Sequence, residues 1–108
     1  MDTAKDRSME IATTVQAQLG RKALFMLGAK ELTAIENGLL FKIGRNSKSV
    51  SHIEIVLEPS DTYRVRFLRF RAGNVKVLSE HEDIYVDSLH ELIESNTGLY
   101  TSLGTLGR

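Results

Sequence analysis

A chain of 108 residues has room for one domain and little more. Its hydrophobic share of 42% and charged share of 26% are those of a globular protein, which excludes disorder throughout. With no cysteine, disulfides and thiolate metal sites are excluded, and no apolar run approaches the roughly 20 residues that cross a bilayer.

The first ten residues are polar and charged, unlike a signal peptide, so the expected location is the cytoplasm. Ala4 to Leu19 reads as a helix, because Ile11, Val15 and Leu19 recur at four-residue spacing beside Ala12. Thr3 and Asp6 resemble a capping box, and Gly20 stands where a left-handed C-terminal residue belongs. Lys22 to Leu27 is a short apolar run. Leu32 to Ile35 and Leu39 to Ile43 then flank Asn37-Gly38, the dipeptide of a type I′ hairpin turn. Gly44 to Ser51 is polar and reads as a loop.

Ile53, Ile55 and Leu57 alternate with His52, Glu54 and Val56, the pattern of a half-buried strand. Pro59-Ser60-Asp61 turns the chain. Tyr63, Val65 and Phe67 alternate with Arg64 and Arg66, but the parity slips at Phe67-Leu68. A β-bulge there would keep Arg64, Arg66, Arg69 and Arg71 on one face. Ala72-Gly73-Asn74 makes the next turn and Val75 to Leu78 begins a further strand. Ser79 to Asp83 breaks the apolar pattern, so its continuation to Ile84–Val86 stays open. Ser88 and Glu91 form a capping box for a short helix carrying Leu89, Leu92 and Ile93, which Gly98 ends. Leu99, Tyr100 and Leu103 are expected to clip the tail onto the core, with residues 1–3 and 104–108 loose. The predicted fold is a single α+β domain over residues 1–108. It has an N-terminal helix, an antiparallel sheet of four or five strands and a short C-terminal helix.

The zero net charge hides an uneven distribution. Thr62 to Leu78 carries Arg64, Arg66, Arg69, Arg71 and Lys76 and no acid; Ser79 to Gly98 carries Glu80, Glu82, Asp83, Asp87, Glu91 and Glu94 and no lysine or arginine. The two segments either make opposite faces or neutralise each other as neighbours. Catalysis finds little support. His52, His81 and His90 have no metal-ligand spacing, and adjacent residues in His81-Glu82-Asp83 point to opposite faces of an extended chain. No serine lies in an elbow-like glycine context, and the glycines form no phosphate-cradling loop. Asp87 and His90, three apart, could hydrogen-bond as a base and its orienting group, but a local cap contact at a helix start explains them equally well. The expectation is a protein that is not an enzyme, with no catalytic residue, no metal and no cofactor.

The arginine strand departs from an ordinary surface. Tyr63, Phe67 and Phe70 interleave with its arginines, a pattern that can hold phosphates and stack bases. Guanidinium groups also suit carboxylates. The candidate partner-binding residues are Arg64, Arg66, Arg69 and Arg71, with Lys42 or Arg45 nearby.

Several stretches together carry a resemblance: Leu19-Gly20, Met26-Leu27-Gly28-Ala29-Lys30, Gly38 to Ile43 followed by Arg45-Asn46, Asp61-Thr62-Tyr63 leading to Phe67, and Gly98 to Leu103. In this order they resemble a family of small accessory proteins encoded by tailed bacteriophages and prophages, over nearly the whole chain from Ala4 to Leu103. The resemblance implies context and no site residues. Such proteins often act by binding a host component, counter-defence among the roles, by anti-CRISPR-like inhibition or by sequestering a signalling ligand. The expected partner is a host protein complex or an anionic ligand in the host cytoplasm, not a membrane. The alternatives are a nucleic-acid-binding accessory protein and a structural or assembly component of the virion. An exposed edge strand would also suit a homodimer.

Overall fold

A computed structural model of the chain describes residues 3–102, with side chains from Arg7 onward. Helix α1 (Thr3–Leu19) and a short helix α2 (Arg21–Met26) precede five strands: β1 (Lys30–Ile35), β2 (Gly38–Lys42), β3 (His52–Leu57), β4 (Tyr63–Arg71) and β5 (Asn74–Ile84). A 3₁₀ turn (Val86–Ser88) leads into helix α3 (Leu89–Thr97). The strands form one antiparallel sheet in the order β1-β2-β3-β4-β5, so every connection is local and each strand lies beside its sequence neighbour. This is the α+β arrangement expected, with a second helix added: the run after Gly20 coils into α2, burying Ala23 and leaving Phe25 outside. Among the described residues no helix is long and apolar enough to cross a membrane.

One face of the sheet makes the core. Leu39, Phe41, Ile53, Ile55, Val65 and Phe67 alternate onto it and are buried, because period-two patterning sends every second side chain to the same side. Ala12, Val15 and Leu19 of α1 and Leu89 and Ile93 of α3 close over them. Removing a ring from this layer, as in Phe67→Ala, is expected to cost about 3–5 kcal/mol. Polar contacts fix the helices: Tyr63 Oη donates to Gln18 Oε1, and His90 Nε2 donates to the Leu19 carbonyl at 2.7 Å. His90 therefore serves the end of α1 rather than a contact with Asp87. Among the described residues, no helix packs on the opposite sheet face.

Several local expectations are corrected. The first hairpin turns one residue early, at Glu36-Asn37, with Ile35 opposite Gly38; Asn37 has φ 58° and Gly38 already belongs to β2. A Cβ on Gly38 would sit 2.2 Å from the Ile55 carbonyl oxygen, so the glycine there lets β3 approach. The turn with two positive φ angles is Ala72-Gly73, at 50° and 81°, as type I′ requires. Gly20 has φ 89° but ψ 149°, outside the left-handed helical region. The side chains of Thr3 and Asp6, and residues 103–108, lie outside the described residues; Thr3 itself is helical. Ser88 makes no side-chain cap bond to α3. Leu99 packs against the core as expected, but Tyr100 is exposed, and the tail is also held by Thr101, whose N–H and Oγ1 both donate to Glu94 Oε2 at 2.8 Å.

Candidate anion-binding site

The arginines of β4 divide between two surroundings. Pairing of β3 with β4 runs without a break from Leu57–Tyr63 to His52–Leu68, so β4 alternates strictly across this stretch. The register breaks lie on the other side of β4, where β5 carries the extra residues: Phe67 faces Ser79 and Leu68 faces Val77, leaving Leu78 over. The bulge expected in β4 is thus a bulge in β5, and it does not bring the four arginines to one face. Arg64 and Arg66 share the helix-free face with Leu68 and Phe70. Arg69 and Arg71 alternate to the other side.

Arg64 and Arg66 are matched internally. Arg66 Nε donates to Glu80 Oε1 at 2.7 Å, and its Nη1 lies 3.5 Å from Glu54 Oε1, the residue opposite it on β3. Arg64 Nη1 is 3.2 Å from Glu58 Oε1. That pair is close as charges but not aligned as donor and acceptor, since Glu58 Oε1 and Arg64 Nε are buried without a hydrogen bond. Only Glu80 comes from the acidic run after β4. Glu54 and Glu58 were the partners that counting charges along the chain missed; the register of the β3–β4 hairpin was the signal that could have found them.

Arg69 and Arg71 instead meet Lys42 and Arg45. All four line an open depression of about 350 Å³ at the sheet margin, together with Ser49, Ser51 and Phe70, and among the described residues no acidic residue lines it. Here β3 has ended and the loop 43–51 curls past the end of β4, so side chains from both faces of β4 reach the rim. Asn46 organises that loop. Its Nδ2 donates to the carbonyls of Gly44 and Val50, at 2.9 and 2.7 Å, and its Oδ1 accepts from the N–H groups of Lys48 and Val50, at 3.2 and 3.1 Å. Gly44 N–H bonds to the Leu27 carbonyl at 2.8 Å, and Ser51 N–H to that of Leu68 at 2.8 Å, tying both loop ends down. Arg69 Nε donates to the Ser49 carbonyl at 3.2 Å, leaving its two terminal nitrogens for another acceptor. Among the described residues, none of the four cations makes an ion pair.

An aromatic pair borders the rim. His52 stacks on Phe70 with centroids 3.9 Å apart and planes inclined 17°. Ser51 Oγ lies 2.8 Å from His52 Nδ1, accepts the Phe70 N–H at 2.8 Å and sits 3.3 Å from the Leu68 carbonyl oxygen. A serine against an imidazole suggests a nucleophile and base, but a working pair needs the base oriented by a third group. Among the described residues no hydrogen bond to His52 Nε2 is present, and Ser51 Oγ is taken up in joining two strands. The contact is a latch at the sheet margin. Partial burial lowers the His52 pKa, Glu31 opposes that by raising it, and the Lys42 ammonium lowers it further, so the net effect favours the neutral ring. His81 is spent on Ser79 Oγ at 3.2 Å and an edge contact with Phe67. Among the described residues, no three or more histidine, aspartate or glutamate side chains converge as a metal site would need.

Comparison with known protein families, curated proteins and solved structures finds no match to this chain.

Proposed function

We propose that this chain is a small non-enzymatic binding protein whose contact surface is the basic rim of Lys42, Arg45, Arg69 and Arg71. One observation carries the reading: these cations surround one open depression without an acid in its lining, whereas Arg64 and Arg66 are already matched by glutamates. Like charges held together gain most from an anionic partner whose phosphate or carboxylate oxygens satisfy the guanidinium donors. The resemblance to phage accessory proteins supports a component of the bacterial host cytoplasm as that partner, with inhibition by occupancy or by sequestering a signalling ligand as the role.

The test compares wild-type protein with two double reversals in capture from bacterial lysate, identifying proteins, nucleic acids and small molecules in the eluate. Arg45→Glu with Arg71→Glu is expected to weaken capture at least ~10-fold with little change in melting temperature, since neither residue has an ion-pair partner among the described residues to lose. Arg64→Glu with Arg66→Glu is expected to retain capture and to lower the melting temperature, by about 4–8 °C for each kcal/mol lost. Undiminished capture by the rim variant would rule this surface out.

A further inference from the structure

We propose that the basic rim takes a nucleoside phosphate, its base stacked on Phe70 and its phosphates held by Lys42, Arg45, Arg69 and Arg71. The inference rests on the reading of the rim as an anion site and names the ligand class. Phe70 lines the depression together with those cations although it alternates to the opposite face of β4 from Arg69 and Arg71, so a molecule seated at this margin lies within reach of both ring and charges. A bare phosphate or a carboxylate would use the cations and leave the ring idle. Phe70 is nevertheless 40% exposed although one of its faces is covered by the imidazole of His52. Keeping a phenyl ring open to water costs burial that a core position would have given. The ring is also held in place, because its own N–H is bonded to Ser51 Oγ and the stacked His52 is bonded to the same oxygen. A pre-positioned aromatic platform next to unpaired guanidinium groups is the pairing by which proteins hold phosphates while stacking bases without sequence preference. Free nucleotides and single-stranded nucleic acid present the same chemistry and differ in how many phosphates reach the rim.

Calorimetric titration at one fixed ionic strength separates the possibilities, using tripolyphosphate, ATP, a short oligothymidylate and an acidic peptide as probes. ATP or the oligonucleotide is expected to bind about tenfold more tightly than tripolyphosphate. Phe70→Leu should abolish that preference while leaving tripolyphosphate affinity unchanged. Tighter binding of ATP points to free nucleotides as the source and tighter binding of the oligonucleotide to single strands; either supports the inference. Equal binding of all phosphates, a preference that survives Phe70→Leu, or tighter binding of the acidic peptide overturns it while leaving the rim an anion site. If no probe binds, the anion-site reading itself fails.

Discussion

His52 shows how one side chain records its surroundings. The unfolded chain carries an ordinary imidazole, with a pKa of 6.5, and the folded value is lower because burial and Lys42 outweigh Glu31. As pH falls below 6.5 the unfolded state therefore takes up a proton more readily than the folded state. Stability is fully present above that window, is lost as pH falls through it, and levels off below the folded pKa. The urea midpoint is expected to drop more between about pH 7.5 and 5 in the wild type than in His52→Gln, which removes the titration. Equal drops in the two proteins would show that the ring does not sense the fold. Asn46 teaches a different lesson. In the sequence it is one polar residue in a polar loop, yet its amide makes four bonds to backbone and sets the path that carries Arg45 and Ser49 to the rim. Residue type announces such a role only as a preference for turns.

At the scale of elements, alternation located β2, β3 and β4, whereas the second half of β5, where the apolar pattern breaks at Ser79 to Asp83, and the turns were less legible. Val65 and Phe67 against Arg64 and Arg66 located β4 because burial follows strand period directly. The faces of Arg69 and Arg71 were misread because a slip in the apolar pattern has two physical causes, a bulge or a polar residue at the sheet margin, and the sequence of β4 alone does not separate them. Its neighbours decide: β3 pairs without a break and β5 absorbs the extra residues. The hairpin turns carry a reciprocal test. Asn37-Gly38 matched the preferred dipeptide, but the glycine was needed for close packing, while the less typical Ala72-Gly73 took the type I′ conformation. Ala72→Asn is expected to raise stability by about 0.5–1 kcal/mol, since asparagine tolerates positive φ better than alanine. Gly38→Ala should lower it by about 1–3 kcal/mol, as a Cβ must displace β3. Urea denaturation of both variants checks the pair, and a neutral Gly38→Ala would contradict the close approach. Both edge strands are irregular, β1 at its register break between Lys30 and Thr33 and β5 at its bulges against β4.

Across the whole molecule, a net charge of zero conceals a division of labour among the cations. The helix-free face is neutralised where Arg64 and Arg66 meet Glu54, Glu58 and Glu80, while the margin beside loop 43–51 keeps its positive charge. Charge counting along the chain detected the excess of arginine but not this division, because partners that are close in space need not fall in the same run of sequence. Within the site, Lys42 and Arg45 were placed near the arginines on sequence grounds, and the fold brings them together with Arg69 and Arg71 but not with Arg64 and Arg66. The most direct test is an amide ¹H–¹⁵N chemical-shift titration of the wild-type protein with tripolyphosphate. The expected result is saturable shifts confined to residues 42–51 and 69–71, with Glu54, Arg64, Arg66 and Glu80 unmoved. Shifts centred on that second group, or none at all, would contradict the account.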